Sequence, residues 1–331
     1  MEVEGDKLKR AIQGAVLFEG DAGLLRPYRC TRAQLNYFNK TNETWADRAH
    51  CSAGIHLAWE TDATHISFDL VTGKQIRPWA SLDVVCDGVL MPTRRVEPIP
   101  PTWHLRIDLP PCTTKRELRI YLPYTCETAL AGVRLAGRAR ANPVPAAPHK
   151  LLCLGDSITQ GVTATGAASS YPIQVGRRLQ VDVLNQGIGG HIFDANSFDK
   201  DLPFEAHVVT IAYGTNDWAK GMSADTLAMN ARTYIHAVRR RYPRIPLIVV
   251  TPLWRTNGAE QRDGGTLLEF SDALRKAVEG HEGVAVIDGN KLVAHREDRF
   301  SDGLHPNDTG FAEYAAGLIH ELRKILLAQR R

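Results

Sequence analysis

No stretch of this chain approaches the ~18 consecutive apolar residues of a membrane-spanning helix. Its first seven residues, Met1-Glu2-Val3-Glu4-Gly5-Asp6-Lys7, carry charges where a secretory leader needs an apolar core, so a cytoplasmic protein that does not engage a membrane is the expectation. An excess of either charge is also missing. Against 40 Lys and Arg stand 37 Asp and Glu, a net +3 at pH 7, which provides no field to draw in nucleic acid or an anionic membrane. Cysteine is sparse and scattered: Cys30, Cys51, Cys86, Cys112, Cys126 and Cys153 include no Cys-x-x-Cys spacing of the zinc or redox kind. The first five leave a disulfide open, with buried free thiols the favoured reading. His50, His56, His65, His104 and His281 have no ligand-like spacing and read as structural, so neither a metal nor a cofactor is implied. What remains is an ordinary globular composition, 44% apolar and 23% charged, in 331 residues that fit two domains comfortably.

The pattern changes near residues 137–149. Before it, apolar residues alternate with polar ones at Ile66, Phe68 and Leu70, at Leu105, Ile107 and Leu109, and at Leu118, Ile120 and Leu122, the period of half-buried antiparallel strands. Asp87-Gly88 reads as a hairpin turn, and Pro98-Ile99-Pro100-Pro101 and Pro110-Pro111 separate other strands. Seven or more short strands without a strongly periodic long helix predict an all-β sandwich, jelly-roll-like, over residues 1–148. Its last segment, 137–148, is rich in proline and reads as a stiff linker.

From 149 to 331 strand alternates with helix. Apolar, β-rich runs at 151–154, 181–184, 208–212, 247–251 and 284–287 predict a five-stranded parallel sheet. Leu227, Ala231, Tyr234 and Val238 place one helical stripe behind a Ser223 cap, and Phe311, Tyr314, Leu318, Leu322 and Ile325 place another in the last helix. A three-layer α/β fold follows, with ligands bound at the carboxyl ends of its strands.

Gly155-Asp156-Ser157-Ile158-Thr159-Gln160-Gly161 puts Ser157 at such a strand end. A serine hydroxyl is a poor nucleophile at neutral pH and needs a base; His305 is the candidate, and Asp302, three residues earlier, is close enough to orient its imidazole. Acyl transfer also develops an oxyanion that preorganised donors must receive. The candidates are the backbone N–H of Ser157 at a helix start, a backbone N–H of Gly189 or Gly190, and the side-chain amide of Asn216. Trp218, Trp254 and Arg255 also follow strand ends, where pocket lining and packing are equally open. Simpler readings compete. The first block lacks the Gly-Lys-Ser/Thr end of a phosphate-binding loop, Gly187-Ile188-Gly189-Gly190 lacks the rest of a dinucleotide fingerprint, and Asp302-x-x-His305 alone would be an ordinary surface pair.

Taken together, Gly155–Gly161, Asn185-Gln186-Gly187-Ile188-Gly189-Gly190, Gly214-Thr215-Asn216-Asp217 and Asp302-Gly303-Leu304-His305 resemble the four signature blocks of the SGNH (GDSL-type) serine hydrolases, from about Lys150 onward. The resemblance implies a flavodoxin-like three-layer domain, a Ser157-His305-Asp302 triad and an oxyanion hole of Ser157, Gly190 and Asn216. The Gly-x-Ser-x-Gly elbow of the α/β-hydrolases is absent, since Thr159 stands two residues after Ser157. His191 occupies a position where the family often has aspartate; a changed site mouth with an unchanged donor is expected. A β-sandwich before such a domain resembles esterases that deacetylate plant polysaccharides or oligosaccharides, which makes O-acetyl groups on a saccharide the favoured substrate. No apolar lid segment of the long-chain lipase kind is present. Lysophospholipase, thioesterase or general aryl-esterase activity on the same triad is the alternative, followed by a carbohydrate-binding protein with residual hydrolysis. The expected partner is a small-molecule or saccharide ester; oligomeric state is not fixed, and the sandwich is either one wall of the cleft or a separate module.

Overall fold

Five parallel strands, in spatial order Asp182–Gly187, Lys150–Gly155, Val208–Ala212, Leu247–Val250 and Val284–Ile287, form the central sheet of the C-terminal half in a computed structural model that describes residues 2–21, 23–111, 114–136 and 139–328. Cys112, Gly137 and Arg138 lie outside the described residues, as does the Ile325 side chain. The sheet runs 2-1-3-4-5 in chain order, and its direction of winding reverses between Lys150–Gly155 and Val208–Ala212, the position where open α/β sheets leave a crevice for ligands. Both faces are covered. Leu151, Cys153, Ile248 and Val250 face a cluster built with Tyr171, Val175, Phe311, Tyr314, Leu318 and Leu322, from the helices Tyr171–Leu179 and Asp308–Ala328. Leu152, Leu154, Val209, Ile211 and Val249 face Leu227, Ala231, Tyr234, Val238, Phe270 and Leu274, from Ala224–Arg241 and Leu267–Val278. Two buried faces explain why these strands read as unbroken apolar runs. The Ser223 side chain caps its helix, accepting from the Thr226 N–H at 3.3 Å.

The N-terminal half contains two antiparallel sheets, one of seven strands and one of five. The alternating residues Ile66, Phe68, Leu70, Leu105 and Ile107 of the five-stranded sheet meet Leu57, Trp59, Leu82, Val84, Leu118 and Ile120 of the other in one core. Asp87 and Gly88, with φ of +47° and +79°, make the tight turn between Ala80–Cys86 and Val89–Leu90. Five cysteines, Cys30, Cys51, Cys86, Cys126 and Cys153, are free and buried.

Two features depart from the sequence pattern. The helices Arg32–Thr41 and Glu43–His50 interrupt the strands. Thr31 and Gln34 close a capping box on the first, and the Asn42 side chain caps the second, accepting from the Trp45 N–H at 3.0 Å. The proline-rich segment is extended, as proline dictates, yet it is no free linker: Ala141–Pro143 adds an edge strand to His56–Thr61, and Val144 N–H donates to the Ala58 carbonyl at 3.1 Å.

The two halves share a core. Ala53, Val85, Tyr121 and Tyr124 join the cluster under the parallel sheet, and Tyr124 Oη donates to the Ala164 carbonyl at 2.7 Å. Among the described residues no helix is long and apolar enough to cross a membrane.

Candidate active site

Strand Lys150–Gly155 delivers the chain to Asp156, whose carboxylate caps the short helix Ser157–Gln160 by accepting from the Ile158 N–H at 2.9 Å. Ser157 therefore stands on a helix start at the switch point, 7% exposed. Its Oγ is 2.8 Å from His305 Nε2, and His305 Nδ1 is 2.7 Å from Asp302 Oδ2. Asp302 Oδ1 accepts from the backbone N–H groups of His305 at 2.8 Å and Leu304 at 3.1 Å, so the loop holds the carboxylate against the ring. Three residues separated by as much as 148 positions in sequence are thus joined in one chain of hydrogen bonds. Such a chain can take a proton from a serine hydroxyl and hold the resulting imidazolium.

Burial pushes the His305 pKa down, with Arg77 and Arg255 adding to it, and Asp302 opposes them only in part. Burial acts to raise Asp302, but its bonds to the His305 N–H and imidazole outweigh this and hold the carboxyl below its ordinary range. The ring is therefore largely neutral at pH 7, the state a general base needs.

The candidate donors lie on the neighbouring turns. Gly190, with φ of +74°, is in the left-handed region that glycine tolerates. The Gly189 N–H is occupied by Gln160 Oε1 at 2.8 Å, whereas the Gly190 N–H has no partner among the described residues, which separates the two glycines the sequence left open. Asn216, just beyond Val208–Ala212, spends one amide hydrogen on the His191 carbonyl at 3.1 Å and keeps the other. Asp217 binds the Phe193 N–H at 3.1 Å, tying this loop to the Gly187–Gly190 turn. That turn packs so tightly on the serine helix that a Cβ on Gly187 would come within 2.2 Å of Gln160 N.

A serine hydrogen-bonded to a histidine and, through it, to a carboxylate thus stands at the switch point of a 2-1-3-4-5 sheet. The family model described as GDSL-like Lipase/Acylhydrolase matches residues 153–312. The match spans just under half of the chain. The protein is an ester-hydrolysing enzyme. The GDSL lipase Rv0518 of Mycobacterium tuberculosis is 27% identical over 201 residues, 55% of this chain and 82% of the relative. Among solved structures, the salicylyl-acyltransferase SsfX3 from a tetracycline biosynthetic pathway superposes with a TM-score of 0.82 at 19% identity, over 98% of this chain and 97% of that one. A family two carbohydrate esterase from Clostridium thermocellum, solved with cellohexaose, reaches 0.68 at 17% identity, over 83% and 94% of the two chains. Both solved structures share the fold at these identities.

Around the GDSL-type site the remaining sequence candidates separate. Trp218 is fully buried, donates Nε1–H to the Gly265 carbonyl at 2.9 Å and belongs to the core, so it lines no open pocket. Trp254 is partly buried and stacks on His295 at 5.6 Å between ring centroids. Arg255 is half-buried beside Asn216, with Nη1 3.3 Å from Thr215 Oγ1. His191 does not alter the mouth, contrary to expectation. Its ring is fully buried among Phe38, Trp45 and Tyr213, and burial lowers its pKa to about 4; only its carbonyl reaches Asn216.

The N-terminal half supplies residues that sequence reasoning missed. Arg29, fully buried, donates Nη1–H to the carbonyls of Asn185 (2.9 Å) and Gly187 (2.7 Å), Nε–H to Cys51 (2.8 Å) and Nη2–H to Arg48 (2.7 Å). Arg48 in turn donates to the Gly189 carbonyl at 2.7 Å. Arg29, just before the helix pair, and Arg48, on its second helix, thereby clamp the Gly187–Gly190 turn from outside. The caps Thr31 with Gln34 and Asn42 were the signals available in the sequence.

Proposed function

We propose that Ser157, His305 and Asp302 form the catalytic triad of a short-chain carboxylic esterase whose favoured substrates are O-acetyl groups on carbohydrates. The observation that carries the proposal is the continuous path from Ser157 Oγ through His305 to Asp302, with contacts of 2.8 and 2.7 Å. Ser157 Oγ attacks the ester carbonyl carbon as His305 Nε2 takes its proton, and Asp302 stabilises the imidazolium. The N–H groups of Ser157 and Gly190 and the Asn216 amide receive the oxyanion. When the tetrahedral centre collapses, the bond to the alcohol oxygen breaks and that oxygen takes the proton from His305. Water then gives a proton to His305 as its oxygen attacks the acyl-serine carbonyl; the bond from the acyl carbon to Ser157 Oγ breaks, His305 returns the proton to Oγ, and the carboxylic acid leaves.

The name of the Clostridium thermocellum relative supports a saccharide alcohol, and the sandwich preceding the GDSL domain supports the same class. We divide the chain into a jelly-roll-like sandwich, 1–148, and a flavodoxin-like catalytic domain, 149–331, the sandwich contributing to the wall of the site through residues 29–51. Five buried free thiols favour a reducing compartment, the cytoplasm. A second reading has a specific support: the salicylyl-acyltransferase is similar over nearly the whole of both chains, so an alcohol in place of water would accept the acyl group. One experiment separates the readings. Acetylated saccharides are incubated with the wild-type enzyme and with Ser157→Ala, and free acetate and transferred acetyl are both measured. Serine-dependent acetate release supports the esterase; transfer to an added alcohol far exceeding acetate release supports the transferase; equal products from wild type and variant reject both.

A further inference from the structure

Four cations stand beside the segments that carry Gly190, Asn216 and His305, and none is used by the mechanism above. Arg48 Nη1 lies 2.8 Å from the position a Cβ would take on Gly190, and Lys220 Nζ is 3.5 Å from the Gly190 carbonyl and 4.9 Å from the Trp45 ring centroid. Arg255 stands on the other side, next to Asn216 through Thr215, while the following residue, Thr256, donates its N–H to Gly303 in the Asp302–His305 loop at 2.9 Å. Arg77 is exposed in the loop between the strands His65–Gln75 and Ala80–Cys86. That loop is fixed by Ile76 N–H to the Thr125 carbonyl (2.9 Å) and by Thr125 Oγ1 to the Trp79 carbonyl (2.8 Å), next to Tyr124, which binds the loop after the serine helix, and Arg77 is close enough to His305 and Arg48 to act on the charge of both.

None of the four makes an ion pair among the described residues. Among the nearby carboxylates, Asp47 is engaged with Lys74 at 2.8 Å, Glu260 with Arg262 at 2.7 Å and Asp302 with His305 at 2.7 Å, while the buried Asp156 and Asp217, whose pKa values burial raises to about 7 and about 6, act on Arg255 and Lys220 without forming an ion pair. Arg48 and Arg255 are half-buried, and guanidinium groups withdrawn from water without a counter-ion are costly unless something else supplies the charge. Their pKa values are lowered by burial first, then by a neighbouring cation, Arg77 for Arg48 and Arg262 for Arg255. The balance of the whole chain is near neutral, so this concentration is local.

We propose that the ester this enzyme acts on carries an anionic group, a carboxylate or a phosphate, held by Arg48, Arg77, Lys220 and Arg255 at the mouth of the Ser157 site. The inference rests on the Ser157 reading and narrows its substrate class. Guanidinium groups suit such a ligand because each can give paired N–H donors to two oxygens of one anion. A low-dielectric cleft lined by one sign of charge also concentrates the oppositely charged substrate, an effect that salt removes.

The test compares kcat/KM within pairs of esters matched in size and differing in charge. Acetylated methyl glucoside against acetylated methyl glucuronide places a carboxylate on the alcohol, glycerol acetate against acetylglycerol phosphate places a phosphate there, and 4-nitrophenyl butyrate against 4-nitrophenyl hemisuccinate places a carboxylate on the acyl group. In at least one pair the anionic ester is expected to lead by about 10-fold at low ionic strength, with the lead falling severalfold in 0.5 M NaCl. The double variant Arg77→Gln/Arg255→Gln is expected to cut that ratio about 5-fold. The salt series uses the wild-type enzyme and does not depend on how the variant folds. No lead in any pair, or a lead that survives both salt and the variant, overturns the proposal. Hydrolysis of 4-nitrophenyl acetate without charge preference sinks this inference alone, whereas inertness toward every ester, 4-nitrophenyl acetate included, overturns the Ser157 reading and this one with it.

Discussion

The proposed site lies at the carboxyl ends of the parallel strands, and the chain leaving Lys150–Gly155 and Val208–Ala212 carries Ser157 and Asn216 to it. The strands of the antiparallel sheets do not. Their half of the molecule reaches the site through an inserted helix pair and a loop, which bring Arg29, Arg48 and Arg77. One half places reacting groups by topology; the other holds the backbone that presents them. The comparison teaches where to look for support in a two-part enzyme: in segments that leave their own sheet to bind carbonyl oxygens of the neighbouring one.

The largest effects belong to the strand-end residues. Ser157→Ala and His305→Ala are each expected to lower kcat on 4-nitrophenyl acetate by on the order of 10⁴ or more, and the double variant is expected to be little worse than either, because triad members act as a unit. Fully additive losses would break the assignment of both residues to one device. Asn216→Ala comes next, with kcat expected to fall roughly 10²–10³ and KM to change little, since its free amide hydrogen strengthens its bond only as charge builds on the substrate oxygen. A change confined to KM would make Asn216 a substrate-positioning residue.

The supporting half is expected to show a smaller loss of another kind. Arg29→Met leaves the carbonyls of Asn185 and Gly187 without their donor and should cost roughly 2–4 kcal/mol of stability in urea unfolding, with kcat about 10-fold lower in the folded enzyme. Normal kcat in a destabilised Arg29→Met enzyme would reduce its role to holding the two halves together. The gentlest test is pH. The base must be neutral, so activity is present above the His305 pKa and lost as pH falls through it. Burial and the neighbouring cations place the midpoint of kcat/KM below about 6.5, the ordinary imidazole value. A midpoint above that value would show that Asp302 outweighs burial at the site.

Legibility in the sequence follows the same division. The five parallel strands could be read because burial on both faces makes them continuous apolar runs, and the positions of the blocks that hold Ser157, Asn216, Asp302 and His305 because each is short and lies at a strand end or in the last connection. The sandwich strands could be read from alternation at Ile66, Phe68 and Leu70. The helix pair could not, because helices of 10 and 8 residues carry too few turns for a clear stripe, and only the caps Thr31 with Gln34 and Asn42 mark their starts. Arg29 and Arg48 were invisible for a different reason: they bind backbone carbonyls far along the chain, which requires no matching side chain and leaves no pattern. His191 was misplaced because its position beside Gly190 says nothing about which way the ring turns, and three aromatic residues from both halves draw it inward.

The most direct test of the account is to trap the nucleophile. The wild-type enzyme is treated with a fluorophosphonate, its intact mass recorded and the modified peptide sequenced, alongside Ser157→Ala and His305→Ala. One adduct is expected, on Ser157, absent from Ser157→Ala and formed at least about 10²-fold more slowly in His305→Ala. An adduct on any other residue, or labelling of the wild type that proceeds equally well without His305, would contradict it.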